Sequence, residues 1–333
     1  MKYLKFFAIF IIIFLIFYIF LWFKSRKTYP LEFGISFNHQ YASYLGFDWK
    51  KMYLEMLDEL KPKYIRVAAM WSEVESQKGK FDFSAVDFMM TEAEKRGVGV
   101  MLVVGQKAPR WPECHVPSEW LDKESKGKHA DYLLEYVKTT VERYKNHPAL
   151  ELWQVENEPF INFKFGDCRN YDESLVDDEI KLVRSLDPAH KIIVTDSGEL
   201  SFWYRAAKAG DLFGTTMYRV VRSPGGRIIN YDWLPAYFYR LKARLVGRDP
   251  KEVYIAELQA EPWFGAATGI STAPIATQEE TMNPDRLKKH FDYARRTGFP
   301  RAYLWGVEWW YYMNEKNNDG RYWEMVKEEI ITN

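Results

Sequence analysis

Two glutamates stand where a carboxylate pair could do chemistry. Glu158 lies at the end of Trp153-Gln-Val-Glu-Asn157-Glu158-Pro159, and Glu257 ends Tyr254-Ile-Ala-Glu257. In each, a run of β-prone residues gives way to an ionisable group. One such glutamate alone reads most simply as a salt-bridged residue on the rim of a fold. Two that face each other can cleave a glycosidic bond, one holding a proton for the leaving oxygen while the other, ionised, faces the anomeric carbon. A gap of roughly 5–5.5 Å between the carboxyls gives retention of configuration, and a wider one leaves room for water and gives inversion. Residues about a hundred positions apart meet only if the fold brings the ends of their two runs together.

The rest of the chain supplies such a fold. Short β-branched or aromatic runs alternate with amphipathic helical patterns, the rhythm of parallel strands joined by helical crossovers. The predicted strands are residues 33–37, 64–68, 98–104, 150–155, 191–195, 212–217, 253–257 and 302–306. Ser84 and Asp87 open one helix, with Ser84 as the capping oxygen, and Gly97 stops it. Leu133, Val137, Val141 and Tyr144 line one face of another. Asn283-Pro284 opens a third, with Leu287, Phe291 and Ala294 inward and Gly298 at its end. The helix after the fifth strand is a short one within residues 201–209. Eight strands in this pattern predict a closed (β/α)8 TIM barrel, and no Gly-x-Gly-x-x-Gly follows the first strand to favour an open dinucleotide-binding sheet. In a barrel of this kind the chemistry sits at the carboxyl ends of the strands, where Glu158 and Glu257 fall.

These residues resemble the retaining (β/α)8 glycoside hydrolase superfamily, clan A, with its cellulase-like, β-galactosidase-like and β-xylosidase-like families. The likeness rests on Asn157-Glu158-Pro159 after the fourth strand, Glu257 at the seventh, Arg66 on the second and Trp305 on the eighth. The segment Arg66 … Trp71 … Glu73 … Gly79-Lys-Phe81-Asp82-Phe83 … Asp87 resembles the second-strand region of the same families. The resemblance covers about residues 31–333 and implies a retaining glycosidase, with Glu158 as acid/base and Glu257 as nucleophile. It implies that Asn157 binds the sugar 2-hydroxyl, that Arg66 lies under Glu257, that Tyr218 hydrogen-bonds Glu257, and that Trp305 floors the site. Two positions depart from the cellulase-like pattern, Thr216 where a histidine is usual and Gly105-Gln106-Lys107 at the third strand's end. They leave family and substrate open. Glu261, in Gln259-Ala-Glu261-Pro262-Trp263, is a rival nucleophile or a substrate ligand. Trp305 and Trp263 are the expected sugar platforms, with Trp71 and Trp111 as further candidates. Asn38, His39 and Gln40 could line a subsite.

The remaining features bound the setting. Lys+Arg and Asp+Glu number 46 each, so nothing in the net charge points to nucleic acid. Aromatics make up 17% of the chain, with 13 Trp, which suits either a large core or stacking on sugars. Phe6 to Phe23 is uncharged and long enough to cross a bilayer, with Lys2 and Lys5 before it and Lys24, Arg26 and Lys27 after. It reads as an uncleaved anchor, so residues 1–27 form a membrane segment and residues 28–333 an extracytoplasmic catalytic domain. Cys114 and Cys168 fall in the loops after the third and fourth strands, side by side in a barrel, and could form a disulfide, in keeping with an exported site. The six histidines show no metal-ligand spacing, and neither metal nor cofactor is expected. The expected partner is an oligo- or polysaccharide, bound by a monomer. A catalytically inactive sugar-binding barrel and a transglycosylase using the same carboxylates are the alternatives.

Overall fold

Runs rich in Val, Ile, Leu and Phe become strands that are buried on both faces, as a parallel sheet wrapped in helices requires. In the computed structural model, residues 2–161, 166–168, 171–223, 225–264 and 269–332 are described. The strands are β1 (Glu32–Ser36), β2 (Tyr64–Ala68), β3 (Gly99–Val104), β4 (Leu150–Val155), β5 (Lys191–Asp196), β6 (Leu212–Met217), β7 (Val253–Gln259) and β8 (Arg301–Trp305). They close into one barrel in the order β1-β8-β7-β6-β5-β4-β3-β2, every neighbour parallel. The seam pairs Glu32 with Arg301 and Ser36 with Trp305. This is the (β/α)8 TIM barrel that the alternating pattern implies. The largest difference in strand bounds is at β7, which runs past Glu257 to Gln259.

The amino-terminal end of the barrel is sealed. Met101, Leu152, Ile193, Leu212 and Tyr303 fill it, and Arg301 donates to Glu151 at 2.8 Å with its guanidinium against the Tyr64 ring. Gly34 accommodates this plug, because a Cβ there would lie 2.8 Å from the Tyr64 carbonyl and 3.0 Å from the Tyr303 ring. With that end closed, the polar interior residues gather at the carboxyl end.

Helix starts follow local chemistry. Asn283 caps Pro284–Thr297 by accepting from the Arg286 N–H at 2.9 Å, and Gly298 ends it in the left-handed region. Ser84 is the first residue of Ser84–Lys95 and not its capping oxygen; that role falls to Asp82, which accepts from the Ser84 N–H at 2.9 Å. The segment after β5 contains a single helical turn, Ala206–Ala209. After β6 the chain makes a small antiparallel hairpin, Val220–Arg222 with Ile228–Asn230, and then the helix Tyr237–Leu245. A disulfide joins Cys114 and Cys168, with Cα atoms 5.0 Å apart, and ties the loop after β3 to the loop after β4. At the amino terminus, helix α1 (Lys2–Lys24) is long and apolar enough to cross a membrane.

Candidate active site

The carboxyl ends of β2, β4, β6 and β7 converge on one buried guanidinium. Arg66 on β2 is 1% exposed and spends its donors across the barrel. Nε donates to Gln154 Oε1, Nη1 to Glu257 Oε1 and Nη2 to Asn157 Oδ1, each at 2.8 Å. A second side chain completes the grip on Glu257, since the Tyr218 hydroxyl donates to its Oε2 at 2.6 Å. Both oxygens of Glu257 thus accept hydrogen bonds, one of them from a guanidinium. Burial pushes the Tyr218 hydroxyl far above its ordinary value, and the charge of Glu257 adds to this, so it stays a donor. Backbone geometry aims Glu257. The pairing of β7 with β6 steps from Thr215–Ile255 to Thr216–Glu257, so Ala256 is an extra residue, and a bulge of this kind re-aims the side chain that follows.

Glu158 sits in a contrasting environment. Its backbone adopts φ 44° and that of Glu156 φ 60°, a left-handed conformation unusual for residues with side chains. The turn is held by its surroundings. The Glu158 N–H donates to Thr195 Oγ1 at 2.9 Å, and Lys107 Nζ donates to the Glu158 carbonyl at 2.9 Å. Glu156 accepts from the Gln106 and Lys107 N–H groups at 2.6 Å each. Gly105 permits this approach, because a Cβ there would come within 2.6 Å of Glu156 Oε1. Behind the turn, Glu179 and Glu156 form a buried pair whose carboxyls are both pushed up by burial. The Glu158 carboxyl accepts a hydrogen bond from Thr216 Oγ1 at 3.3 Å. Burial first, then the charges of Glu257 and Glu113, push it well above the usual carboxylate range, which favours its protonated form. Two buried carboxyls in one mouth therefore have different partners, a guanidinium and a phenol for Glu257 and a neutral hydroxyl for Glu158.

A third carboxyl, Glu113, lies in the same cluster and was not anticipated from sequence. It is buried, and Asn157 Nδ2 donates to its Oε2 at 3.2 Å. Burial and then the Glu257 charge raise it to about 8, against the opposing pull of Lys107. The nearest signal in the sequence is its place beside Cys114, whose disulfide fixes this loop. Because the fold raises Glu113 from 4.5 to about 8, its contribution to stability is complete below the lower value and is lost as pH rises through the upper. Glu113→Gln is expected to flatten part of the decline in urea midpoint over that window, with other buried carboxyls, Glu156, Glu158 and Glu179 among them, contributing to the remainder. Parallel declines in wild type and variant would contradict this.

The other sequence candidates divide. Trp305 is buried beside Arg66, and its Nε1 donates to Glu261 Oε1 at 2.9 Å. The Arg110 guanidinium lies 4.3 Å from the Trp305 ring and 4.2 Å from that of Tyr41. Glu261 is engaged by Arg110 through both oxygens, one at 2.7 Å, and Glu308 shares the same guanidinium at 2.7 Å. Glu261 therefore belongs to a neighbouring ion-pair cluster and lacks the Arg66 and Tyr218 contacts of Glu257. Trp263 is half-buried and meets the Tyr218 ring edge-on at 5.0 Å. Asn38 borders the opening with Ser36, Arg66 and Trp305, but its side chain serves the loops: Oδ1 accepts from the Tyr41 N–H at 2.8 Å and Nδ2 donates to the Pro109 carbonyl at 3.2 Å. His39 is paired with Glu73 at 2.6 Å. Trp111 is exposed.

Trp71 is a correction. Its ring is fully buried, stacked on Tyr136 at 5.7 Å with the Trp120 and His129 rings against it, and its Nε1 donates to Glu75 at 2.9 Å. No face remains for a sugar, so Trp71 packs the loop after β2. Both departures from the cellulase-like pattern prove to be at the site. Thr216 touches the Glu158 carboxyl, and Lys107 touches its backbone. Among the described residues, no group of three or more His, Cys, Asp or Glu side chains could hold a metal ion.

The chain has recognisable relatives. A glycoside hydrolase 42 family model, described as beta-galactosidase, matches residues 47–175. A probable mannan endo-1,4-beta-mannosidase of Emericella nidulans is 24% identical over 133 residues, 36% of this chain and 28% of that protein. A beta-galactosidase of Geobacillus sp. is 33% identical over 116 residues, 30% of this chain and 17% of that protein. The chain thus spans less than a third of the length of these curated relatives. Xylanase 10B of Thermotoga maritima superposes with a TM-score of 0.56 at 14% identity, covering 94% of this chain and 98% of the xylanase. The last likeness is one of fold.

Proposed function

We propose that this chain, a (β/α)8 barrel of the clan A glycoside hydrolase superfamily, is a retaining glycosidase in which Glu257 is the nucleophile and Glu158 the acid/base. The observation that carries this reading is the division made by Arg66. Its guanidinium holds one oxygen of Glu257 at 2.8 Å, while Glu158, across the mouth, keeps its proton in a buried setting. In the first step a Glu257 oxygen bonds to the anomeric carbon as the glycosidic C–O bond breaks. The leaving oxygen takes the Glu158 proton. Esterified Glu257 carries no charge, so one cause of the raised Glu158 value disappears, and Glu158 ionises to become a base. It then deprotonates water, which attacks the anomeric carbon and releases Glu257 with net retention.

Asn157 is a positioning group in this scheme. Arg66 holds its Oδ1, which orients its Nδ2 for the sugar 2-hydroxyl beside Glu113. The substrate class we infer is a β-linked oligo- or polysaccharide, in line with the beta-galactosidase and endo-1,4-beta-mannosidase names of the relatives. We further read residues 1–27 as a membrane anchor, with residues 28–333 as an extracytoplasmic catalytic domain. The length and apolarity of α1 support this. Product stereochemistry tests the mechanism. Proton NMR of a panel of aryl β-glycosides is expected to show the β-anomer of the released sugar first, followed by slow mutarotation. An α-anomer formed first would overturn it.

A further inference from the structure

We propose that the catalytic rim of the barrel around the 220–230 hairpin and Trp233 rests in the lipid headgroup layer, so that the active-site mouth opens at the membrane surface. The proposal rests on reading α1 as a transmembrane span. The contacts of α1 locate the surface. Residues 5–17 are all exposed. From Tyr18 onward the helix is seated. The Tyr18 hydroxyl donates to the Trp233 carbonyl at 2.6 Å, Phe20 meets the Tyr237 ring edge-on at 6.2 Å, Leu21 is buried, and Ser25 Oγ accepts from the Tyr237 N–H at 2.8 Å.

Length decides how deep this places the barrel. The thirteen residues of 5–17 rise only about 20 Å, whereas the hydrocarbon core is about 30 Å thick and needs about 20 residues. The apolar stretch Lys5–Lys24 has 20 residues, so Tyr18 to Phe23 must also enter the bilayer for the span to be complete. Whatever the barrel presents beside those residues is then drawn to the interface. It presents Trp233 at 61% exposure and Ile228 and Ile229 at 38% each. Trp is favoured at the headgroup level. Lys24 ends the helix, Arg26 and Lys27 follow it, and Arg227 lies in the hairpin, charges that suit anionic lipid. Asp232 and Glu280 nearby are each matched by an arginine, Arg286 at 2.7 Å and Arg222 at 2.6 Å.

This surface belongs to the catalytic end. Helices of such a barrel run antiparallel to its strands, so the start of Tyr237–Leu245 lies at the carboxyl rim. From Ser25 beside Tyr237 the chain passes along the barrel wall to the opposite rim, where the Tyr29 N–H donates to the Arg295 carbonyl and the Glu32 N–H to that of Pro300. The hairpin begins two residues after Tyr218 and is fastened to β7, since Gln259 Oε1 accepts from the Arg219 and Val220 N–H groups at 2.9 and 3.0 Å. One wall of the mouth is therefore the element that meets the lipid.

The test uses the full chain in phosphatidylcholine/phosphatidylglycerol vesicles, with a nitroxide on Ile228→Cys, on Trp233→Cys as a second site, and on Leu245→Cys at the far end of the helix as control. The native disulfide leaves one free thiol in each variant. We expect the vesicle-bound labels at 228 and 233 to show an oxygen-to-nickel accessibility ratio several-fold above that at 245. Flotation with the vesicles but equal ratios at all three sites would overturn the seating and leave the span intact. Failure to float would overturn the span, and the seating with it.

Discussion

Glu257→Gln is expected to lower kcat/KM by at least about 10⁴-fold, because a neutral amide cannot form the covalent intermediate that divides the reaction into two easier steps. The substitution preserves size, and Gln can still accept from Arg66. The loss should therefore fall on kcat rather than on substrate binding. It also carries a structural cost. Arg66 and Glu257 are 1% and 5% exposed at their side chains, and removing one partner of a buried pair typically costs about 3–5 kcal/mol. The lower part of that range applies here, since Arg66 keeps its bonds to Gln154 and Asn157. Activity must accordingly be compared at temperatures where a melting curve shows both proteins folded. A folded Glu257→Gln variant within tenfold of wild type would remove Glu257 from the mechanism.

The second large effect depends on the leaving group. Glu158→Ala is expected to cost about 10²–10⁴-fold on substrates whose aglycone needs a proton to depart, the usual range for general acid catalysis. With a dinitrophenyl leaving group, which departs as an anion, the first step should be nearly unchanged and breakdown of the intermediate should become limiting. Azide then substitutes for base-activated water, restoring turnover and giving a β-glycosyl azide. The pH profile supplies the sign. Glu158 acts in its protonated form, so wild-type kcat/KM falls as pH rises through its elevated value. The variant, assayed with the activated substrate, should lose that alkaline limb. Equal losses on both substrates, with no azide product, would show that Glu158 is not the acid.

The parts of this arrangement that were legible in the sequence are those dictated locally. Apolar strands such as Tyr64–Ala68 and Leu150–Val155 declare themselves by composition, and a carboxylate at the end of such a run falls at the barrel mouth by topology alone. Asn283 and Gly298 mark helix ends for similarly local reasons. Contacts between loops are not local, and there the sequence misleads or is silent. Trp71 follows a strand end and resembles a sugar platform, yet Tyr136, from a helix more than sixty residues later, covers its ring. Glu113 carries no motif, and its place beside Asn157 depends on a loop tied to Cys168. Glu261 and Glu257, four residues apart, differ in which arginine they meet, Arg110 or Arg66. That follows from the β7 bulge and from loop paths that no spacing rule encodes.

Thr216 and Lys107 show how a departure from a family pattern can still belong to the site. Thr216 gives Glu158 a weak neutral hydrogen bond where a charged donor would favour its ionised form, and Lys107 spends its ammonium on a backbone carbonyl. The Lys107 charge opposes the upward push that burial gives the Glu158 carboxyl, but ranks below burial and the charges of Glu257 and Glu113. The loops that carry Glu113, Trp263 and Arg110 surround the carboxylate cluster, and their paths are not encoded by any local pattern.

The central claim is that Glu257 becomes covalently attached to the sugar. Incubating the protein with a panel of 2-deoxy-2-fluoro β-glycosides bearing dinitrophenyl leaving groups should trap that ester, because the fluorine slows its hydrolysis. Peptide mapping by mass spectrometry should then find one added glycosyl unit on Glu257. A glycosyl unit on Glu261 or any other residue, or turnover of the natural-configuration glycoside with no adduct from its fluorinated counterpart, would contradict the account.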